Sequence, residues 1–141
     1  MVTGEVRSLE RVREILRATK TIAVLGASTH PERPACYVPD YLHAQGYRIL
    51  PVNPAHVGER GWGEPFRAEL AELDEPIDLV DVFRHPRFLA GHLPELLALA
   101  PRVVWFQQGI RDDAVAQALI AAGIEVVQDR CTLVDHRRLV V

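Results

Sequence analysis

A short polar loop follows an uninterrupted apolar run near the start of the chain. The run Ile22–Leu25 is apolar throughout, and the loop after it reads Gly-Ala-Ser-Thr. A glycine has no Cβ and lets a ligand approach the backbone, while free N–H groups and a hydroxyl in such a turn suit an anion. The pattern therefore predicts a phosphate-binding turn, whose candidate contacts are Gly26, Ala27, Ser28, Thr29 and the nearby Arg33.

This loop matches neither of the two familiar phosphate fingerprints. The pattern G-x-G-x-x-G would require a second glycine where Ser28 stands, and G-x-x-x-x-G-K-[ST] is absent from the sequence. On this stretch alone, a nucleotide-like ligand and a plain tight turn stay equally open.

Catalytic and metal-binding signatures are not found in the sequence. The six histidines are scattered, and no serine or cysteine lies in a known nucleophile signature. Cys36 and Cys131 lack metal-ligand spacing and are too few for a disulfide framework, so we expect reduced thiols. We expect a binding protein with no catalytic residue and no metal. Cys36 has two interpretations, a small buried hydrophobe or, near a phosphate loop, a thiol of lowered pKa.

Five short apolar runs alternate with helical patterns along the chain. They are Thr21–Leu25, Tyr47–Val52, Ile77–Phe83, Val103–Phe106 and Ile124–Val127. Runs without polar alternation are typical of strands buried on both faces of a parallel sheet. The order predicts one α/β domain over residues 1–141, a Rossmann-like three-layer fold with a mostly parallel five-stranded sheet and the first strand in its centre.

Apolar residues spaced three to four apart predict the helices. The first covers about residues 5–19, and the last predicted helix begins at Asp112 or Asp113 and ends at Gly123. Another helix ends at Gly46 and either begins near Val38, with Pro39 in its first turn, or is bent there. A further helix begins at His85-Pro86 and ends before Pro101. The final residues, Leu139–Val141, suggest a short last strand.

The carboxyl ends of the predicted strands are the expected ligand site of such a sheet. The loops at that edge carry six arginines and five carboxylates, and the rest of the chain has a net charge of −4. The sign of this asymmetry suits a polyphosphate. Asp81 lies within the third strand among apolar neighbours, so we expect it to be hydrogen-bonded near the sheet end or slightly exposed, with a structural role favoured.

Five sequence blocks follow one another along the chain: Gly26-Ala27-Ser28, Pro51-Val52-Asn53-Pro54, Asp81-Val82-Phe83-Arg84, Trp105-Phe106-Gln107-Gln108-Gly109-Ile110 and Asp129-Arg130-Cys131. Together and in this order they resemble the small bacterial CoA-binding proteins, which are similar to the CoA-binding N-terminal domain of the succinyl-CoA synthetase α subunit. The resemblance covers essentially Thr21 to Leu139 and implies that the adenine and phosphates of CoA lie over the carboxyl ends of the strands.

The resemblance implies candidate contacts in three further loops. Many relatives place a basic residue directly after Asn-Pro, whereas this chain has Ala55 followed by a histidine. For Arg84 a phosphate or adenine contact competes with a structural pair with Asp81. The candidates are Asn53, Pro54, His56, Phe83, Arg84, His85, Pro86, Gln107, Gln108 and Gly109.

The expected function is therefore non-catalytic binding of CoA or an acyl-CoA. The alternative is an NAD(H)-binding sensor or enzyme on the same fold. It is disfavoured because the second strand is followed by Asn53 and Pro54 rather than by the acidic residue that holds the ribose of NAD. The net charge of −3 argues against a nucleic-acid partner. No apolar run is long enough for a membrane span and no signal peptide is recognised, so we expect a cytoplasmic protein whose partner is a small molecule.

Overall fold

Strands and helices alternate along residues 2–141, the part of the chain that the computed structural model describes. The strands are β1 Thr21–Leu25, β2 Arg48–Val52, β3 Arg60–Gly61, β4 Glu64–Pro65, β5 Leu79–Val82, β6 Val103–Phe106 and β7 Glu125–Val127. The helices are α1 Leu9–Ala18, α2 Pro34–Ala44, α3 Leu89–Leu99, α4 Asp113–Ala121 and α5 Thr132–Leu139. Short 3-10 turns cover Pro54–His56, Leu70–Glu72 and Pro86–Phe88.

The five predicted strands form one parallel sheet, which confirms the predicted fold. The strand order is β2-β1-β5-β6-β7, and β3 pairs separately with β4 as a small antiparallel hairpin. Strand β1 lies inside the sheet, paired with β2 and β5. The sequence predicted β1 as the middle strand, but the middle strand is β5. The reason is that the chain adds one strand on one side of β1 and three on the other. The sheet therefore has its topological switch point between β1 and β5.

Both faces of the sheet are buried under helices. One apolar cluster joins Ala23 and Leu25 of β1 to Leu96 of α3 and Leu119 of α4. The opposite cluster joins Ile22 to residues of α1 and α2, among them Leu16 and Leu42. The uninterrupted apolar runs in the sequence are thus explained by strands that face apolar side chains on both sides.

Helix α1 begins later than predicted because a serine caps it. The hydroxyl of Ser8 accepts a hydrogen bond from the N–H of Arg11 at 3.1 Å. The preceding residues are extended instead, and the N–H of Val6 donates to the carbonyl of Val126 at 2.9 Å. The N-terminal segment therefore lies beside the edge strand β7 and covers part of that edge.

Helix α2 begins at Pro34, four residues before Val38, so that Pro39 lies inside it. A proline leaves the carbonyl four residues earlier without its usual helical donor. That carbonyl belongs to Ala35, and it accepts the N–H of Ser28 at 3.1 Å instead. The loop after β1 supplies the hydrogen bond that the helix lacks, which explains how the helix extends through the proline.

The predicted strand at Leu139–Val141 is wrong, because helix α5 covers Thr132–Leu139. The buried residues of α5 are Thr132, Asp135 and His136, all of them polar. A helix whose buried positions are polar lacks the apolar periodicity by which helices are recognised in a sequence. In the described residues, no helix is both long and apolar enough to cross a membrane.

Candidate functional site

The candidate residues from all four loops lie at one edge of the sheet. They follow the carboxyl ends of β1, β2, β5 and β6, which are adjacent in the sheet. The N–H of Phe83 donates to the carbonyl of Leu25 at 2.9 Å, so the loops after β1 and β5 run side by side at the switch point. The structure therefore brings the glycine loop and the Phe83-Arg84 segment into contact.

Gly26 is required by the fold itself. Its φ is +90°, and a Cβ at this position would lie 2.8 Å from the carbonyl oxygen of Phe83. A contact this short with backbone cannot relax through a side-chain rotation. The neighbouring strand end therefore already excludes any side chain at this position, whether or not a ligand approaches the backbone here.

The backbone of the glycine loop is partly committed to the protein. The N–H of Gly26 donates to Val52 at 2.8 Å, and that of Ser28 donates to Ala35. The hydroxyl of Ser28 accepts the N–H of His30 at 3.0 Å, and its own proton has no acceptor among residues 2–141. The N–H groups of Ala27 and Thr29 also have no acceptor within that range. The donors left for an anion are thus fewer than the sequence suggested.

Asn53 fastens the loop after β2 to the glycine loop. Its amide Nδ2 donates to the carbonyl of Ala27 at 2.9 Å, and its Oδ1 accepts the N–H of Ala55 at 2.9 Å. Pro54 then opens the 3-10 turn. His56 is turned towards Glu59, with 2.7 Å between Nδ1 and the carboxylate. Asn53 therefore positions the loop, and His56 is engaged within its own turn.

Arg84 is free of acidic partners in the described part of the chain. Its Nε lies 3.4 Å from Nε2 of His92, and its guanidinium carbon lies 4.5 Å from the centre of the Phe88 ring. The alternative pairing with Asp81 is not observed, because that carboxylate has other partners. His85 caps the next turn, its Nδ1 accepting the N–H of Arg87 at 3.1 Å.

Asp81 lies in a fully buried polar network beneath the site. Its two oxygens accept hydrogen bonds from Nε2 of Gln107 at 2.6 Å and from the hydroxyl of Thr132 at 2.9 Å. Burial raises the pKa of Asp81 to about 7, although both hydrogen bonds act in the opposite direction. Gln107 also donates to Thr132 at 2.8 Å, so both of its amide hydrogens point inward. Gln107 therefore supports the site from below.

The turn after β6 is held by a second carboxylate. Gly109 has a φ of +84°, and its N–H donates to Oδ1 of Asp129 at 2.7 Å. Gln108, in contrast, is exposed. This arrangement fixes the loop between β6 and α4 while leaving one amide side chain at the surface.

Two clefts open at this edge. The apolar cleft, of about 440 Å³, is lined by Arg33, Pro34, Ala35, Tyr37, Val38, Phe83, Gln107, Gln108, Ile110 and Cys131. The polar cleft, of about 280 Å³, is lined by Leu25, Gly26, Asn53, Pro54, Ala68, Glu69, Arg84, Gly91, His92 and Glu95. Together they contain Gly26 and seven other candidate residues from the sequence.

Sequence reasoning missed the residues that line these clefts from helices. Tyr37 and Val38 extend from α2 into the apolar cleft, and His92 and Glu95 extend from α3 into the polar cleft. In the sequence these positions are indistinguishable from ordinary helix residues. The lowered thiol pKa considered for Cys36 is also wrong, because burial and the nearby carboxylate of Asp40 raise the pKa of that thiol.

Comparisons with known proteins identify relatives of this chain. The family model described as "CoA binding domain" matches residues 20–137. The chain is 37% identical over 129 residues to the uncharacterized protein YneT of Bacillus subtilis (strain 168), which covers 92% of this chain and 94% of that protein. A solved Thermus thermophilus structure is 54% identical, with a TM-score of 0.92 over 94% of this chain and 99% of its own.

A more distant likeness shows the fold alone. The apo form of the dinucleotide-forming acetyl-coenzyme A synthetase 1 of Ca. Korarchaeum cryptofilum is 15% identical, with a TM-score of 0.64. The match covers 76% of this chain and 25% of that one. Because the family model extends from the start of β1 into α5 and the Bacillus relative matches nearly end to end, the chain belongs to the CoA binding domain family.

Proposed function

We propose that this protein binds CoA or an acyl-CoA without catalysing a reaction on it, with the ligand at the carboxyl ends of β1, β2, β5 and β6. The observation that carries the proposal is the pair of unpaired guanidinium groups beside the glycine loop. Arg84 lines the polar cleft next to Gly26, and Arg33 lines the apolar cleft at the start of α2. Neither forms an ion pair within residues 2–141, so both are available to phosphate groups.

The glycine loop supplies neutral donors in addition to these two cations. The N–H groups of Ala27 and Thr29 and the hydroxyl proton of Ser28 are not used by the rest of the described chain. Donors of this kind, next to the N-terminus of a helix such as α2, favour a phosphate. We place the adenosine end of CoA in the polar cleft, where Glu95 can accept a hydrogen bond from an exocyclic amino group.

The non-catalytic part of the proposal rests on how the titratable groups near the site are used. His56 and His85 are engaged in hydrogen bonds within their own turns. The thiol of Cys36 has a raised pKa, which disfavours the reactive thiolate. A cytoplasmic location is part of the same proposal, because both cysteines are free thiols.

Isothermal titration of the protein with CoA and with NAD tests the proposal. We expect CoA to bind at least ~10-fold more tightly, a difference of about 1.4 kcal/mol. The physical reason is that the residue after β2 is Asn53 and not an acidic residue, so no carboxylate is present there for the ribose of NAD. The Asn53 amide is already hydrogen-bonded to Ala27 and Ala55. Equal affinities, or tighter binding of NAD, would return the protein to the NAD(H)-binding alternative.

A further inference from the structure

The two clefts differ sharply in the chemistry of their walls. None of the residues that line the apolar cleft is an aspartate or glutamate, whereas the polar cleft contains Glu69 and Glu95 together with Arg84. The two clefts therefore suit different ends of one ligand. The walls of the larger one present mainly carbon and sulfur atoms, from Val38, Phe83, Ile110 and Cys131.

The apolar cleft has few polar groups that could bind a charged group at the far end of the ligand, away from the phosphates. Both amide hydrogens of Gln107 are used by Asp81 and Thr132. Gln108 is exposed, and Arg33 is an exposed residue at the start of α2, next to the glycine loop. The deeper wall therefore favours an uncharged, apolar group.

We propose that the apolar cleft takes the thioester end of the ligand, and that the protein prefers an acyl-CoA with a short, uncharged acyl chain over free CoA. The inference rests on the proposed function. With the phosphates at the glycine loop and Arg33, the pantetheine arm enters this cleft and places its sulfur against an apolar wall. A volume of about 440 Å³ accommodates the end of the arm and a few methylene groups.

The first experiment is a titration series with CoA, acetyl-CoA, butyryl-CoA and adenosine 3′,5′-bisphosphate. Each methylene group removed from water favours binding, so affinity is expected to rise about two- to fourfold per added carbon from acetyl-CoA to butyryl-CoA. Adenosine 3′,5′-bisphosphate lacks the arm and reports on the nucleotide end alone.

A matched pair of variants locates the effect. Ala35→Phe fills the apolar cleft from the first turn of α2, whereas Ala114→Phe adds the same group at an exposed position in the first turn of α4. We expect Ala35→Phe to abolish the gain in affinity with acyl-chain length. Ala114→Phe should retain the gain.

A readout on the unaltered protein does not depend on either variant folding. Cys131 lines the apolar cleft and is half-buried, whereas Cys36 is buried and serves as an internal reference. We expect butyryl-CoA to slow alkylation of Cys131 by iodoacetamide, measured by mass spectrometry. Adenosine 3′,5′-bisphosphate should leave that rate unchanged.

The outcomes separate this inference from the proposed function. If CoA binds but affinity does not rise through butyryl-CoA, or if Cys131 stays unprotected, the inference is overturned and the proposed function stands. Retention of the full gain in Ala35→Phe would also overturn it. If neither CoA nor adenosine 3′,5′-bisphosphate binds, the proposed function fails and the inference fails with it.

Discussion

The side-chain amide of Gln107, the residue after β6, donates a hydrogen bond of 2.6 Å to the carboxylate of Asp81 in the neighbouring strand β5. Thr132, at the first position of α5, completes the network. A buried carboxylate therefore links β5, β6 and the final helix directly beneath the candidate site. Because its pKa is raised to about 7, its protonation changes in the neutral range.

We predict that Asp81 makes the protein less stable as pH rises from about 4 to about 7. The folded state holds the proton more tightly than the unfolded chain, so the contribution is fully present below the ordinary pKa of 3.8 and is lost through the raised pKa. Urea unfolding of the parent protein and of Asp81→Asn at pH 5 and pH 8 measures this. The variant should lack this component, which is on the order of 2 to 4 kcal/mol. Identical pH slopes for both proteins would show that the prediction is wrong.

We predict that Gly26→Ala destabilises the fold by about 2 to 4 kcal/mol, measured by urea unfolding. An alanine here would have to adopt a left-handed φ, and its Cβ would lie 2.8 Å from the carbonyl oxygen of Phe83. Gly46→Ala is the matched control, since its φ is +101° and no atom lies within 4 Å of the added Cβ. The control should cost only about 1 kcal/mol, from backbone strain. Equal losses of stability in the two variants would mean that the close approach to the carbonyl oxygen of Phe83 does not contribute to the cost.

We predict that Glu5→Gln loosens the N-terminal segment and costs about 1 to 3 kcal/mol of stability at pH 7. The Glu5 carboxylate accepts hydrogen bonds from Arg111 and Gln128, and its side chain is only 4% exposed. Burial alone would raise the pKa of Glu5, but these hydrogen bonds and the Arg111 charge lower it. Its stabilisation is therefore present above its ordinary pKa of 4.5 and is lost as pH falls below it.

Unfolding in urea at pH 7 and pH 3 checks the Glu5 prediction. Glu10→Gln, at an exposed position in the first turn of α1, provides the control and should change stability by less than about 0.5 kcal/mol. A Glu5→Gln protein that is as stable as the control at pH 7 would contradict the role assigned to this carboxylate.

We predict that Arg84→Ala weakens CoA binding about 10- to 100-fold at unchanged thermal stability, because a charge-assisted hydrogen bond contributes about 1.5 to 3 kcal/mol. Arg87→Ala is the matched control. Its guanidinium carbon lies 4.8 Å from the centre of the same Phe88 ring, but it lines neither cleft. Titration calorimetry measures the CoA affinity of both variants, and thermal melting measures their stability. A loss of stability with normal binding would assign Arg84 a structural role.

The sequence determined the strands and the edge at which the candidate residues meet. Runs such as Ile22–Leu25 are apolar without alternation because both of their faces are covered, and that property is local enough to be visible in the sequence. The order of strands and helices then predicts a parallel sheet, and the carboxyl ends of its strands lie together for geometric reasons. The loops containing Gly26, Asn53, Phe83 and Gln107 could therefore be placed at one edge without coordinates.

Only the tertiary structure decided what each of these residues contacts. The carbonyl of Phe83, 57 positions away in the sequence, leaves no room for a side chain at Gly26. The Gln107 side chain turns inward because its hydrogen-bond partners are Asp81 and Thr132. Helix α5 was not predicted because its buried positions are polar. Two of them, Thr132 and His136, form hydrogen bonds with residues far away in sequence. Hydrogen-bond partners and close approaches between distant segments leave no periodic signal, since they depend on how the strands are ordered and not on the local pattern of side chains.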